Sequence, residues 1–214
     1  MKNEIFIKVI AFVAFAIYTH NLPAQNIQYD KFGMESIDVP TGLNVGDLAP
    51  DVMMLLADGQ KVALKDLYSK QPVVLIFYRG YWCPVCNRYL AKFAKDAHKI
   101  EELGAKIIAV TPQDYDNIDK TAEKNETNFT IVSDRDETIM KVFDVDYRVT
   151  DNYQQKVLKG LNTSIAGTNA SNEAVLPVPA TYIIDQSGKI VYKQFDPDYR
   201  NRASVDEILA HLPK

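Results

Sequence analysis

The sequence predicts an α/β domain, a central mixed sheet flanked by helices, with a β-hairpin extension at its N-terminal side and a helical and loop insertion late in the chain. Three observations carry this. Val73 to Tyr78 reads VVLIFY, a continuous apolar run of the kind a strand covered on both faces requires. Downstream, short apolar runs alternate with segments of helical periodicity, the rhythm of crossover units with parallel strands. The chain then closes on two strands joined by Gln186-Ser187-Gly188-Lys189, a hairpin that brings antiparallel pairing.

The elements follow in order. Val52 to Leu56 and Lys61 to Leu64 flank Asp58-Gly59, a dipeptide suited to the positive φ of a tight hairpin turn. After the Val73–Tyr78 strand, Leu90, Phe93, Ala97, Ile100 and Leu103 recur at helical spacing, with Gly104 as the stop. Lys106 to Val110 is a second buried strand, and Asp114 is placed to cap a helix running to Lys124. Phe129 to Val132 reads as a strand, and Asp136 as the cap of a helix reaching Phe143. Residues 144–176 break the rhythm with a helix near Asn152 to Lys159, ended by Gly160, and a polar tract from Asn162 to Ala174. So long a departure inside a compact domain belongs to function or to motion. Thr181 to Asp185 and Ile190 to Gln194 form the closing hairpin. Ser204 and Glu207 make a capping box for a last helix, Val205 to Leu212.

Three segments organise the 214 residues. Residues 1–24 carry Lys2 and Lys8, an uncharged apolar run from Val9 to Tyr18 and the boundary Leu22-Pro23-Ala24, the layout of a secretory signal peptide. The apolar run falls short of the roughly 20 residues of a spanning helix, so membrane contact is expected only through this segment if it stays uncleaved. Residues 25–44 read as an extended arm and residues 45–214 as the domain. Removing residues 1–24 leaves 22 Lys and Arg against 27 Asp and Glu. An acidic chain without a basic stripe is a poor partner for nucleic acid, and the expected location is exported, periplasmic or secreted.

The chemistry concentrates where the central strand meets a helix, in Tyr78-Arg79-Gly80-Tyr81-Trp82-Cys83-Pro84-Val85-Cys86. A cysteine at a helix start faces unpaired backbone N–H groups and the positive end of the helix dipole, which favours thiolate over thiol. Pro84 suits the first helical turn, where its missing N–H costs nothing. Cys86, one turn on, is placed to attack a mixed disulfide or a sulfenic acid on Cys83. Cys83 therefore reads as nucleophile and Cys86 as resolving thiol. A structural disulfide closing so small a loop would stabilise little, and structural zinc would want four ligands where His98 is the only nearby histidine; both remain open alternatives. No metal and no cofactor beyond a Cys83–Cys86 disulfide is expected. Farther on, Pro179 stands at the start of an apolar strand, where a proline is tolerated in either isomer.

A CxxC after a buried strand, with Val178-Pro179-Ala180-Thr181-Tyr182-Ile183-Ile184-Asp185 ahead of a terminal hairpin and helix, resembles the thioredoxin fold. The resemblance narrows to the peroxiredoxin-like branch of the alkyl hydroperoxide reductase and thiol-specific antioxidant (AhpC/TSA) group. Its marks are Val45-Gly46-Asp47-x-Ala49-Pro50, Phe77-Tyr78-Arg79-Gly80-x-Trp82-Cys83-Pro84-x-Cys86-Asn87, Val110-Thr111-Pro112-Gln113 and Asp196-Pro197-Asp198-Tyr199, across residues 45–212. It implies a cis-proline at Val178–Pro179 facing the cysteines, with Val178 pairing its backbone with substrate; Trp82 and Pro84, flanking Cys83 in the sequence, are further candidates for receiving substrate, with core packing the alternative for Trp82. The chain departs from that pattern where typical members hold the peroxide. Ile76 and Gly80 stand at the Pro and Thr/Ser positions, and Pro179 where an arginine is usual, leaving Arg79 as the candidate for positive charge at Cys83, with a solvent-facing arginine at the strand end as the alternative.

The resemblance implies a thiol-dependent antioxidant enzyme. It would reduce hydroperoxides through Cys83 and Cys86 and be recycled by an external thiol reductant such as a thioredoxin-like protein. The intact CxxC also fits an extracytoplasmic thiol–disulfide oxidoreductase acting on protein disulfides. A metal-handling or redox-sensing domain is the non-enzymatic alternative.

Overall fold

The computed structural model describes residues 28–213; the expected signal segment, residues 1–24, lies outside them. After a short 3-10 turn at Tyr29–Phe32, the elements are β1 (Met53–Leu55), β2 (Lys61–Ala63), α1 (Leu64–Tyr68), β3 (Val73–Phe77), α2 (Pro84–Asp96), α3 (His98–Glu102), β4 (Lys106–Thr111) and α4 (Tyr115–Asn125). Next come β5 (Thr130–Ser133), α5 (Thr138–Val142), β6 (Asp146–Arg148), α6 (Asp151–Leu161), α7 (Ile165–Thr168), β7 (Val175–Pro177), β8 (Ala180–Ile184), β9 (Ile190–Phe195) and α8 (Val205–His211).

Five strands make the central sheet in the order β5-β4-β3-β8-β9. β3 pairs in parallel with β4, and β4 with β5, while β8 runs antiparallel to both β3 and β9. The continuous apolar run in β3 has the predicted cause. Val74, Ile76 and Tyr78 enter one core with Leu90, Phe93, Ile100 and Ile208, while Val73, Leu75 and Phe77 enter a second with Leu64, Met140 and Phe143. Alternate side chains of one strand thus serve two apolar layers, and the sheet edge where β3 ends is left for the cysteines.

Several boundaries differ from the sequence reading. The expected single helix from Leu90 to Leu103 is α2 and α3, divided at Ala97, whose backbone keeps α values. Arm residues 25–44 are not simply extended. Among the described residues, 28–44, they hold the 3-10 turn and bury Met34, and Gly33 O accepts from Thr150 N at 2.9 Å. Gly160 lies inside α6, which instead ends at Asn162 in the left-handed region at φ 50°. The insertion holds a two-stranded sheet, β6 with β7, that the sequence did not reveal. Three-residue strands carry too short an alternation to be read locally.

The Val178–Pro179 bond is trans, since the described residues contain no cis peptide. Val178 lies between β7 and β8, and its N donates to Val145 O at 2.7 Å. Trans is the isomer that X-Pro bonds favour by about 0.5–1 kcal/mol.

The N-cap position of α5 is Glu137 rather than Asp136, and Asp134 takes most of the first-turn N–H groups through its side chain. Its two carboxylate oxygens accept from Ile139 N at 3.0 Å and Met140 N at 2.8 Å. Burial pushes this carboxyl up to about 6, against the pull of the two N–H donors. A folded-state value above the unfolded one means that stability present below about pH 4 is lost as pH rises through about 6. Urea midpoints should therefore fall across that window by the equivalent of up to about 3 kcal/mol, and Asp134→Asn should flatten the decline. An unchanged slope in the variant would remove Asp134 as its source.

Candidate active site

Cys83 is the N-cap of α2, with extended backbone, and its Sγ accepts from Cys86 N at 3.2 Å. Pro84 takes the first helical position, exposed on the surface. Both cysteines are thiols and both are fully buried. The turn that presents Cys83 is fixed from a neighbouring strand's end. Tyr81 N donates to Gln113 Oε1 at 2.7 Å, and Asn87 Nδ2 donates to Tyr81 O at 2.6 Å. Gly80 has φ 153°, and a Cβ there would lie 2.7 Å from Gln113 Cδ. The hydroxyl residue typical of the resembled group has no room at position 80, because the Gln113 side chain fills that space. Gly80→Ala should accordingly cost about 1–3 kcal/mol in chemical denaturation and slow alkylation of Cys83. A variant as stable and reactive as the parent would show that Gln113 is free to move aside.

Arg79 faces the nucleophile position rather than solvent. Only 3% of it is exposed. Its Nη2 donates to Cys83 Sγ at 3.2 Å and its Nη1 to the Tyr153 hydroxyl at 2.8 Å. The guanidinium lies over the Tyr199 ring, 3.5 Å from its centroid, with Trp82 at 5.2 Å and Tyr153 at 5.9 Å. Aromatic faces attract a cation and exclude water from it. Tyr153 belongs to α6 of the insertion, and Tyr199 follows β9. Phe32 of the arm packs edge-on against Tyr199 with ring centroids 5.8 Å apart. The insertion and the arm thus form the wall that holds Arg79 on Cys83.

A second cation serves the other sulfur. Arg202 Nη2 donates toward Cys86 Sγ at 3.6 Å, while its Nε donates to Tyr199 O at 2.9 Å. Two sulfurs this close lose their protons as a pair. Burial pushes Cys83 well up, aided by the hydrogen bond and charge of the Cys86 sulfur and opposed by Arg79. Cys86 is held well below the ordinary thiol range. Burial opposes this, but the hydrogen bond from Cys83 and the charges of Arg202 and Arg79 outweigh it. The reduced pair, lying between two arginines, therefore shares one proton and one negative charge.

Among the predicted site residues, Cys83, Cys86, Arg79 and Trp82 come together, with Trp82 buried and its indole N–H without a partner among the described residues. Val178 does not have its backbone N–H free for the expected role. Its side chain is fully buried and its N–H is already given to Val145, so it has no backbone donor to offer a substrate. Pro179 likewise has its carbonyl engaged, accepting from Asp196 N at 3.4 Å. Tyr153, Tyr199, Arg202 and Gln113 were missed as site residues. Of these, only Gln113 and Tyr199 lay within motifs singled out in the sequence. Among the described residues no group of three or more His, Cys, Asp or Glu could hold a metal ion, and no helix is long and apolar enough to cross a membrane.

The chain is 26% identical over 156 residues to a chloroplastic peroxiredoxin Q of Triticum aestivum, covering 72% of this chain and 61% of that protein. It is 26% identical over 149 residues to the peroxiredoxin Bcp of Bacillus subtilis, covering 70% of this chain and 83% of that one. The chain thus spans less than two thirds of the plant relative's length. In three dimensions it is similar to the peroxidoxin BcpB of Mycobacterium tuberculosis, with a TM-score of 0.59 and 21% identity over 79% of this chain and 96% of the other. A peroxiredoxin-like protein from Aquifex aeolicus gives 0.59 and 23% over 80% and 87%. These neighbours share the thioredoxin-like α/β architecture, in agreement with the sequence expectation. The model of the AhpC/TSA family matches residues 45–193, which include β1 to β8, both cysteines and Arg79, and with the fold and the sequence relatives pointing the same way, this chain belongs to the AhpC/TSA family.

Proposed function

We propose that the chain is a thiol-dependent peroxidase in which Cys83 reduces a hydroperoxide and Cys86 resolves the product. One observation carries the reading: Arg79, buried against Cys83 Sγ, keeps an Nε–H donor with no partner among the described residues. A peroxide oxygen is an acceptor of the kind that donor lacks, and the unpartnered Trp82 indole N–H offers another.

With the pair's proton on Cys86, the Cys83 thiolate, held by Arg79 and Cys86 N–H, attacks the distal peroxide oxygen. The O–O bond breaks, its electron pair leaves with the other oxygen, and that oxygen takes a proton to become an alcohol or water. Cys83, now a sulfenic acid, is attacked by the Cys86 sulfur, so that the disulfide forms and water leaves. Two equivalents of an external thiol, from a thioredoxin-type or smaller reductant, restore the pair. The relatives named peroxiredoxin support the peroxide as oxidant. The signal-like segment at residues 1–24 supports action outside the cytoplasm.

The alternative, turnover of protein disulfides, loses its main structural support with the trans Val178–Pro179 bond and the occupied Val178 N–H. The test is a side-by-side assay of the reduced protein. Consumption of hydrogen peroxide or cumene hydroperoxide with a dithiol should be fast, and insulin reduction slow. Fast insulin reduction with no peroxide consumption would reverse the assignment.

A further inference from the structure

Two consecutive arm residues, Phe32 and Gly33, touch the tyrosines that surround Arg79. The Phe32 ring packs edge-on against Tyr199, and Phe32 O accepts from the Tyr147 hydroxyl at 3.2 Å. Gly33 O accepts from Thr150 N at 2.9 Å, at the start of α6. Gly33 has φ 87°, and a Cβ there would stand 2.7 Å from Cγ of Tyr153, so the bare glycine backbone lies directly on the Tyr153 ring. Met34, next in the chain, is buried in the same core as Tyr147, Tyr153 and both cysteines. Phe32, Gly33 and Tyr199 lie outside residues 45–193, the part that the family model matches. The seat of Tyr153 is therefore built partly from chain beyond that shared core.

An arginine has a long side chain with several rotatable bonds, and an aromatic cage attracts its cation without fixing the direction of the N–H groups. Two directional contacts fix the Arg79 fork. Nη2 donates to Cys83 Sγ at 3.2 Å and Nη1 to the Tyr153 hydroxyl at 2.8 Å, while Nε has no partner among the described residues. The first contact changes as the sulfur gives up its negative charge to the departing oxygen. The second does not, because burial pushes the Tyr153 phenol up and keeps it neutral through the pH range of the chemistry. Among the described residues Tyr153 is thus the anchor of the fork that stays fixed while the reaction proceeds.

We propose that Tyr153 is a positioning residue for the Cys83 reaction, acting through Arg79, and that the arm holds Tyr153 in place through Gly33. The insertion and the arm then do more than cover the site: they aim the guanidinium. The inference rests on the reading of Cys83 as the sulfur that attacks the peroxide.

The test uses the full chain and two readings. The first is the rate of the reduced protein with hydrogen peroxide. The second needs no peroxide: thiolate absorbance near 240 nm against pH in the Cys86→Ser background, where Cys83 is the only thiol. The titratable groups that face Arg79 are Cys83, Cys86, Tyr147 and Tyr153, and those that face Cys83 are Cys86 and Arg79. Burial pushes Tyr147 up to about 12, so a change below about pH 9 belongs to Cys83. Tyr153→Phe keeps the ring against Gly33 and removes the hydroxyl. The peroxide rate should fall about ten- to a hundredfold, and Cys83 should titrate higher by about half a pH unit or more as the guanidinium loosens from its sulfur. A tyrosine that served packing alone would lower stability and move neither reading. Gly33→Ala, driving its Cβ into the ring, should shift both readings in the same directions. It should add little once Tyr153→Phe is present, since the two act through one contact. If Gly33→Ala does not fold, Thr150→Pro unseats the arm in a second way. Thr150 has φ -59°, which proline adopts, and the change removes the N–H that Gly33 O accepts. Parental rate and parental Cys83 titration in Tyr153→Phe would overturn the positioning role. Arm variants that leave both readings unchanged, or whose losses multiply with that of Tyr153→Phe, would overturn the part given to Gly33. Failure of the peroxidase reading would appear elsewhere, as a parent that does not consume peroxide while the titration of Cys83 stays readable.

Discussion

Cys83→Ser should lower hydroperoxide turnover by about 10⁴-fold or more, since a hydroxyl in place of the nucleophilic sulfur cannot accept oxygen from the peroxide. Cys86→Ser should act differently. It leaves the first chemical step in place, so one equivalent of peroxide is consumed and a sulfenic acid accumulates on Cys83, where dimedone can trap it. Excess peroxide should then drive that sulfur on to sulfinic acid, and steady-state turnover should fall to the rate at which external thiols attack the sulfenic acid directly. The pair's electrostatics make this experiment sharper than a routine check. Within the reduced pair the Cys86 sulfur pushes the Cys83 thiol up. Removing the Cys86 sulfur removes that repulsion and leaves Arg79 in place, so Cys83 should ionise at lower pH in Cys86→Ser than in the parent. Thiolate absorbance near 240 nm, read against pH in the parent and in Cys86→Ser, gives the shift. Peroxide-dependent dimedone labelling of Cys86 in Cys83→Ser, with turnover retained, would exchange the two roles.

Much of the fold was legible because its signals are local. The apolar run of β3, the helical spacing after the CxxC, the Asp58-Gly59 turn and the capping box at Ser204 each lie within one window of sequence. The cysteines were legible for the same reason, since a strand end, a proline and a three-residue spacing define them. The wall around Arg79 was not. Arg79 and Tyr153 are 74 residues apart, and Tyr199 is farther still. No periodicity links a tyrosine on an inserted helix to an arginine at a strand end. Burial alone decided that Arg79 turns inward, and burial belongs to the assembled chain. Arg202 shows the same limit: in the sequence it is one of several charges before the last helix, and only the packing of that segment against α2 brings it to Cys86. The substrate role expected of Val178 failed because its N–H was claimed by Val145, a partner in the insertion that sequence could not supply.

Replacing Arg79 should produce the second largest loss. Arg79→Met keeps most of the side-chain volume among Trp82, Tyr153 and Tyr199 but removes the charge and all the N–H donors. The reaction moves negative charge from sulfur to the departing oxygen, and a preorganised cation stabilises that movement in a dry site far more than water would. Loss of one such donor typically costs about 10²–10³-fold, so the second-order rate with peroxide should fall by that order. A pH shift should accompany it. The Arg79 charge lowers both thiols, so its removal must raise the pair's titrations and carry the acid limb of the pH–rate profile upward. Arg79→Lys separates charge from geometry. An ammonium can keep the positive charge, but it lacks the planar fork that reaches Cys83 Sγ and the Tyr153 hydroxyl together. The lysine variant should therefore hold the acid limb near its parental position yet remain about tenfold or more slower. Buried Tyr153 loses its partner in Arg79→Met, so a stability loss of about 1–3 kcal/mol is also expected; comparing rates only at temperatures where both variants are folded keeps it separate from the catalytic effect. If Arg79→Met retained the parental rate and pH profile, Arg79 would be a structural cation in an aromatic cage, and the positive charge acting on the peroxide would have to be Arg202.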